Sequence, residues 1–420
     1  MNSTLIMRQP AAWWGAKWRD ALPSGNGTIG AAVYGAVHDE TVLLTHEDLW
    51  HGVSTPELPD VSDLLPEIRR VQDKGEFRKA NRIMADAIIE RGYAPAIGSP
   101  LPLADLKIKM PVHKGFRAYR RQLNMETGEV MVSWKDADTS FTRRLFVSRP
   151  DNLVAMEIES SSADLSADIT LALHDVADNP GGADGLPTEV ELQCDTSGLI
   201  RYAARTDDGT DFGAVARVMP FGAAGSTAAP TLEHSEQGVH VEGAARVIIV
   251  VKLFVQGKRL SAWRELTRQL ESADMDYNAL LVPHALEHGE LFNRVTIDLG
   301  ASDRDHDRSN EELLLYAYEG EAPVALVEKL WAYGRYLLIS SSRPGGQPCP
   351  LHGKWSGSYR GMWTFHMVNE NLQMIYWQAL SGMLAETVLP MFDYFDRLMD
   401  DFRENARKLY GCRGIYIPGP

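Results

Sequence analysis

Hydrophobic and polar positions follow two different rhythms along this chain, and the change comes near residue 262. Before it, apolar residues alternate with polar ones or run in short blocks. Such blocks are Thr28–Val37, Thr41–Leu44, Leu106–Lys109, Glu129–Trp134, Ser140–Ser148, Leu153–Ser160, Ala167–Ala172, Val215–Pro220, Val239–Glu242 and Arg246–Phe254. Gly, Pro, Asn and Asp punctuate them, which is the pattern of many short strands and predicts a large antiparallel β-sandwich over residues 1–261. Two stretches break that rhythm. Leu64–Lys74 and Glu76–Arg91 carry apolar residues at helical spacing (Phe77, Ala80, Met84, Ile88), predicting a helical hairpin inserted at about 62–92.

Residues 262–321 read as a linker region: helices at Trp263–Ser272 and Tyr277–Phe292, a candidate strand at Asn293–Gly300, and a solvated charged loop at Asp303–Asn310. From Ala322 helices dominate. One apolar face is Val327, Leu330, Trp331, Gly334, Leu337 and Leu338. A second is Leu372, Ile375, Tyr376, Ala379, Leu380 and Met383; a third, starting just after Pro390, is Phe392, Phe395, Leu398, Met399, Phe402 and Leu409. Three amphipathic helices need a surface to cover their apolar faces, and little sequence remains to supply it. The expectation is a chain that stops inside a helical domain.

Composition narrows the function classes. A formal net charge of −15 argues against nucleic acid, because phosphate binding requires a basic face. No apolar run reaches the length of a membrane span, and the opening Met1–Pro10 has neither a long apolar core nor a small-residue cleavage site. The cytoplasm is therefore the default expectation. Cys194, Cys349 and Cys412 are far apart and not in metal spacing, so neither a disulfide framework nor a structural metal is expected.

The densest chemistry lies at Trp363–Trp377 and just upstream, at Ser340–Gly346 and Leu351–Trp355. Loops that place Trp, His, Asn and Lys beside a hydrophobic helix suit sugars, since aromatic faces meet C–H surfaces and amides meet hydroxyls. Trp355 and Trp363, in loops, are candidate stacking platforms; His352 and His366 are candidate acid/base groups or hydroxyl ligands. Trp377, inside the helix, is expected in the core. Asn369 and Asn371 flank Glu370 at the helix entrance, where an extended backbone would put both amides on one side. A plainer reading makes Asn371 only the N-cap. Ser340–Gly346 is explained as a helix end. Gly25-Asn-Gly27-Thr-Ile-Gly30 precedes a strand and lacks the Lys-Ser/Thr of a nucleotide loop. His46-Glu-Asp-Leu-Trp-His51 is only loosely like a zinc-binding helix, with its second His one position too far.

Together these stretches resemble glycoside hydrolase family 95, the inverting α-L-fucosidases and α-L-galactosidases. The resemblance runs through nearly the whole chain. It begins with Trp14 through Trp18-Arg-Asp-Ala-Leu-Pro23 and on to Gly35, then Leu44-Thr-His-Glu47-Asp48-Leu-Trp50, Tyr119-Arg-Arg-Gln-Leu and Phe141 through Ser148. It continues with Tyr333 through Gly345, Leu351-His-Gly-Lys-Trp355 and Asn369-Glu-Asn371-Leu-Gln-Met-Ile-Tyr-Trp377. The family resemblance implies an N-terminal β-sandwich, a helical linker and an (α/α)6 barrel, of which residues 322–420 would be the opening helices. It implies that Asn369 and Asn371 position the attacking water, with the general acid and partner carboxylate beyond Pro420. The sequence departs from the family pattern where Glu370 replaces an apolar residue, His46 replaces Asn, His352 replaces Gln, and the Trp363–Asn369 loop is one residue shorter.

The expected function is hydrolysis of terminal α-L-fucosyl or α-L-galactosyl residues of oligo- or polysaccharides, with inversion and no cofactor, by a protein of which this chain is an inactive part. His366, Trp363, Trp355 and His352 are the expected substrate contacts. The alternative is a non-catalytic carbohydrate-binding or structural relative.

Overall fold

A computed structural model describes the chain except for residues 1–2, 13–15, 55, 176–185, 226–228, 274–275, 362 and 419–420; Trp14 of the family motif thus lies outside the described residues. The first eight strands are β1 (Thr4–Met7), β2 (Leu22–Gly25), β3 (Ile29–Val33), β4 (Asp39–His51), β5 (Ser99–Lys109), β6 (Phe116–Asn124), β7 (Glu129–Asp136) and β8 (Thr139–Val147). The other eight are β9 (Val154–Ser160), β10 (Leu165–Ala172), β11 (Thr188–Cys194), β12 (Leu199–Arg205), β13 (Asp211–Phe221), β14 (Thr231–Ser235), β15 (Gly238–Ala244) and β16 (Arg246–Gly257). They form two antiparallel sheets, β1-β6-β7-β8-β9-β16-β13-β12-β11 and β14-β15-β10-β5-β4-β3-β2.

Inward-facing residues of both sheets share one core, among them Leu44, Leu106, Ile108, Val130, Val132, Met156, Ala214 and Ile249. The predicted sandwich is therefore present. Six of its strands escaped the apolar pattern, and β6 shows why. Its sequence Phe-Arg-Ala-Tyr-Arg-Arg-Gln-Leu-Asn is dominated by cations, yet Arg121 is buried and donates from Nη1 to the Asp20 carbonyl at 2.6 Å. Charged side chains that find partners inside the fold hide a strand from a hydrophobicity count.

The β2–β3 turn is built by Asn26. Its side-chain oxygen accepts from the Thr28 and Ile29 N–H groups at 2.9 and 2.8 Å, and its amide donates to the Ser148 carbonyl at 2.8 Å. Gly27 takes φ +96° there, a region that favours glycine, and a Cβ would fall 2.6 Å from the Arg343 side chain. The glycine-rich run is a hairpin turn fitted against a later segment.

The helical insertion is α1 (Leu65–Gln72) and α2 (Phe77–Glu90), packed through Ile68, Val71 and Ala80. After β16 come α3 (Arg259–Ser272), α4 (Tyr277–Phe292), α5 (Asp303–His306), α6 (Asn310–Glu319) and α7 (Val324–Ser341). The last three are α8 (Asn371–Ser381), α9 (Leu389–Arg397) and α10 (Met399–Tyr410). α3 seats Trp263 and Leu270 on the outer face of the nine-stranded sheet.

Four expectations are corrected. Asn293–Gly300 forms no strand; the Leu299 N–H finds the buried Glu328 carboxylate at 2.6 Å instead of a sheet edge. Asp303–Asn310 is no open loop, because α5 is capped by Ser302, and His306, at its end, is buried with its ring nitrogen 3.1 Å from Glu328. The final apolar face is split at Leu398 into two helices. Trp377, expected in the core, is 70% exposed, because α8 turns Leu372, Tyr376 and Ala379 inward and Trp377 and Leu380 away. No helix among the described residues is long and apolar enough to cross a membrane.

Candidate functional site

The segment between α7 and α8, residues 342–370, follows the edge of the sandwich and is pinned to it at many points. Between Thr45, paired with Pro102, and Trp50, paired with Pro100, β4 carries more residues than β5. The strand therefore bulges, and prolines opposite it have no N–H to lose. At the bulge, Glu47 accepts from the Gln347 N–H at 2.7 Å and pairs with Lys354 Nζ at 3.0 Å. Both charged side chains are almost wholly buried, and Lys354 also donates to the Gln347 carbonyl at 3.2 Å. Thr45 donates its hydroxyl to the Lys354 carbonyl. A buried ion pair, with further hydrogen bonds from the Gln347 N–H and to its carbonyl, joins strand to loop.

Trp355, only 7% exposed, donates its indole N–H to the Ser24 carbonyl at 2.7 Å. Its ring lies against Gly25 and Gly30, where a Cβ would come within 3.1 Å of it. Farther along, Tyr359 donates to the His174 carbonyl at 2.8 Å, and Thr364 to the Ser99 hydroxyl at 3.2 Å. His366 packs its ring on Trp50 at 5.2 Å and on Tyr394 at 5.1 Å, with Nε2 3.0 Å from the Pro348 carbonyl. Burial, helped by the nearby Lys354 charge, lowers its pKa to about 4, so the ring is neutral at pH 7 and donates to that carbonyl.

These contacts divide the candidate residues. Trp355 and His366 lie in the seam between loop and sandwich, and each also borders an opening there. His352 sets its ring edge-on to Trp18 at 5.7 Å and lines a cavity of about 400 Å³ between the sandwich and helices α7 and α8. Tyr333, Leu337, Ile375 and Gln378 close the helical side of that cavity. Trp363 is 56% exposed in a turn with φ +60°.

Asn369 lies exposed in the turn before α8, and Asn371 is the first residue of that helix. The capping position falls on Glu370, and no side chain makes a cap hydrogen bond there, so Asn371 is not the N-cap. The run is a turn and not an extended strand. Its geometry is held from below: the Leu372 N–H reaches the Met367 carbonyl at 2.9 Å, and Gln373 donates to the Val368 carbonyl at 2.6 Å. Neither asparagine side chain hydrogen-bonds to another described residue; Asn369 is exposed and Asn371 half-buried.

Sequence reasoning missed Glu47, Gln347 and Lys354 as a unit. The polar density of Thr45–His51 was a signal, since a carboxylate inside a strand needs a partner, but the partner lies some three hundred residues on. Among the described residues no group of His, Cys, Asp and Glu is placed to hold a metal ion.

Residues 5–254 match the model of the glycosyl hydrolase family 65 N-terminal domain, more than half of the chain, and residues 276–418 match the glycosyl hydrolase family 95 catalytic domain. The chain is 27% identical to "Alpha-L-fucosidase 2" of Arabidopsis thaliana over 94% of its own length and 49% of that protein. It is 29% identical to "Probable alpha-fucosidase A" of Aspergillus niger over 93% of its length and 50% of that protein. It thus spans about half the length of these curated relatives. A solved structure of a candidate kojibiose phosphorylase from the human microbiome superposes with a TM-score of 0.58 at 11% identity, covering 100% of this chain and 53% of that one; that likeness is one of fold alone.

Proposed function

The chain belongs to glycosyl hydrolase family 95, and on that premise we propose that it is part of an exo-glycosidase that removes terminal α-L-fucosyl, or the related α-L-galactosyl, residues with inversion. The observation that carries the reading is the freedom of Asn369 and Asn371. Their neighbours in the connecting segment are committed to the sandwich, while Asn369, exposed in the turn, and Asn371, half-buried at the start of α8, make no side-chain hydrogen bond to another described residue. In an inverting hydrolysis, water attacks the anomeric carbon from the face opposite the leaving oxygen, which a protonated carboxyl group assists. The two amides are suited to orient that water, because each offers both a donor and an acceptor. His352 and Trp363 stand as substrate contacts; Trp355 and His366 act by holding the loop in place.

The acid and the partner carboxylate are assigned to no residue of this chain. Residues 322–420 are read as the opening helices of an (α/α)6 barrel, which is supported by the outward apolar stripe of Trp377, Leu380 and Phe392 and by the span of about half of the relatives. The chain by itself is accordingly inactive.

The test is hydrolysis of aryl α-L-fucosides and α-L-galactosides by the longer protein, with the product anomer followed by NMR. Asn369→Ala and Asn371→Ala are each expected to lower kcat by roughly 10²-fold or more with a smaller change in KM, as for groups that position a reactant. A folded protein that cleaves neither glycoside would end the proposal. Unchanged turnover in both variants would remove the asparagines from it.

A further inference from the structure

Where β4 bulges toward the helical part, an open cleft of about 760 Å³ separates the sandwich from the loop before α8. Asp48, Trp50, Asp207, Asp208 and Gln256 form one wall; Gln347, Phe365, His366 and Tyr394 form the other. Neither asparagine of the proposed hydrolytic site lines it. We infer that this cleft is a second saccharide site, taking a short, neutral, unmodified oligosaccharide by stacking between Trp50, Phe365 and Tyr394 and by hydroxyl donation to the carboxylates.

Four observations carry this. First, the walls combine aromatic rings with acceptors and amides, the pairing that recognises a ring with an apolar face and a polar rim. Second, among the described residues no Lys or Arg lines the cleft; of its two histidines, His51 is bound to the Tyr359 carbonyl, and His366, whose pKa burial lowers to about 4, is neutral at pH 7. A phosphorylated, sulfated or uronic-acid chain would meet the carboxylates of Asp48, Asp207 and Asp208, with the nearest guanidinium, Arg397, tied to the Gln347 side chain. Third, two of the three carboxylates are partly committed, which weakens the case for a cationic ligand or metal. Asp208 accepts from Thr206 and Thr210, Asp48 accepts from Gln347 at 3.3 Å, and Gln347 is itself held by Arg397 at 2.9 Å. Fourth, Gln256 closes the rim with a left-handed backbone (φ +56°), exposed and with no hydrogen bond from its amide to a described residue. The volume lies within the range of small-molecule sites, about 300–1,000 Å³.

The site's two walls come from the two parts of the molecule, so a bound chain would bridge sandwich and loop. Binding there needs no hydrolysis and is independent of the roles proposed for Asn369 and Asn371.

The experiment is calorimetric titration of the 420-residue chain at pH 7 with cellotetraose, xylotetraose and a β-galactotetraose, and with tetragalacturonate and tetralysine as charged probes. At least one neutral tetraose is expected to bind saturably, and neither charged probe to bind more tightly. Phe365→Ala, Asp207→Asn and Gln256→Ala are each expected to weaken that binding by roughly three- to tenfold, the size of one stacking or hydrogen-bonding contact. All three side chains lie on the cleft surface, and circular dichroism of each variant checks that it folds. Asn369→Ala is expected to leave the binding unchanged. The inference is overturned if no neutral tetraose binds, if the cleft variants bind like the parent, if a charged probe wins, or if Asn369→Ala abolishes binding. Loss through Asn369 alone would place the saccharide at the hydrolytic site. Failure of fucoside hydrolysis in the longer protein would leave the titration result standing.

Discussion

The sandwich and the terminal helices treat their apolar side chains in opposite ways. In the sandwich, residues such as Leu103, Leu106, Ile108 and Val132 are fully enclosed between two sheets. Even its ion pair Arg143–Glu40, at 2.9 Å, is buried, with burial pushing the Glu40 carboxyl up and Arg143 pulling it back down. In the helices from α7 onward, each element buries one face and leaves another open. Leu330, Trp377, Leu380 (72% exposed) and Phe392 all meet solvent. The sheets close on one another, whereas a helix with apolar residues around more than one face requires partners on both sides. Amphipathic pattern alone therefore reports how many surfaces an element wants to cover, not how many it has covered.

The contrast can be broken most sharply at its junction. Removing one partner of the buried Glu47–Lys354 pair, as in Lys354→Met, leaves a buried charge and is expected to cost about 3–5 kcal/mol in urea unfolding. Combining it with Glu47→Leu should recover much of the loss. If Lys354→Met costs under about 1 kcal/mol, the loop is not held by this pair.

Leu106→Ala in the sandwich and Leu380→Ala on α8 delete the same atoms in the two regions. The first is expected to cost about 2–5 kcal/mol and the second about 0.5 kcal/mol or less, measured as unfolding midpoints of the chain. Equal costs would mean that the helical face is covered in solution.

Acid should act on the joints between the regions. His284 and His288 are buried on α4, with pKa values pulled to about 3 for His284 and well down for His288, in both cases chiefly by burial. The unfolded chain takes up protons near pH 6.5 while the folded chain refuses them. Stability is thus full above about pH 6.5 and falls as the pH drops toward 3, by up to about 1.4 kcal/mol per pH unit for each such histidine. A flat stability profile from pH 7 to 5 would contradict this.

The smallest effect on the folded monomer is expected from Trp377→Ser with Leu380→Ser, about 0.5 kcal/mol or less, while sedimentation should show less self-association than the parent. Unchanged association would separate those exposed side chains from any contact between chains.

Much of this was legible in the residues. Period-two runs mark ten of the strands, and helical spacing locates α2, α4, α7 and α8 to within a few residues, because each pattern follows from local backbone geometry. The motif Asn369-Glu-Asn371 was legible as chemistry at a helix entrance; that Asn371 does not cap the helix was not, since a cap depends on one residue's φ and ψ. Cation-rich β6 was hidden because Arg121 has its partner about a hundred residues away. Trp355 and His366 have the composition of pocket residues and each lines a cavity, but that packing also uses them to fasten loop to sandwich was not legible, because their partners Ser24 and Trp50 are distant in sequence.

By itself, then, the sequence determined the two rhythms, the sheet and helix classes they produce, and the inventory of groups able to meet a sugar. The tertiary structure alone decided which of those groups are spent on holding loop to sandwich, which remain free at Asn369 and Asn371, and where two walls meet to form a cleft. The physical reason is range. Periodicity and turn chemistry act over a few residues, while a buried charge, a stacked ring or a cleft depends on which distant segments the fold brings within a few ångströms.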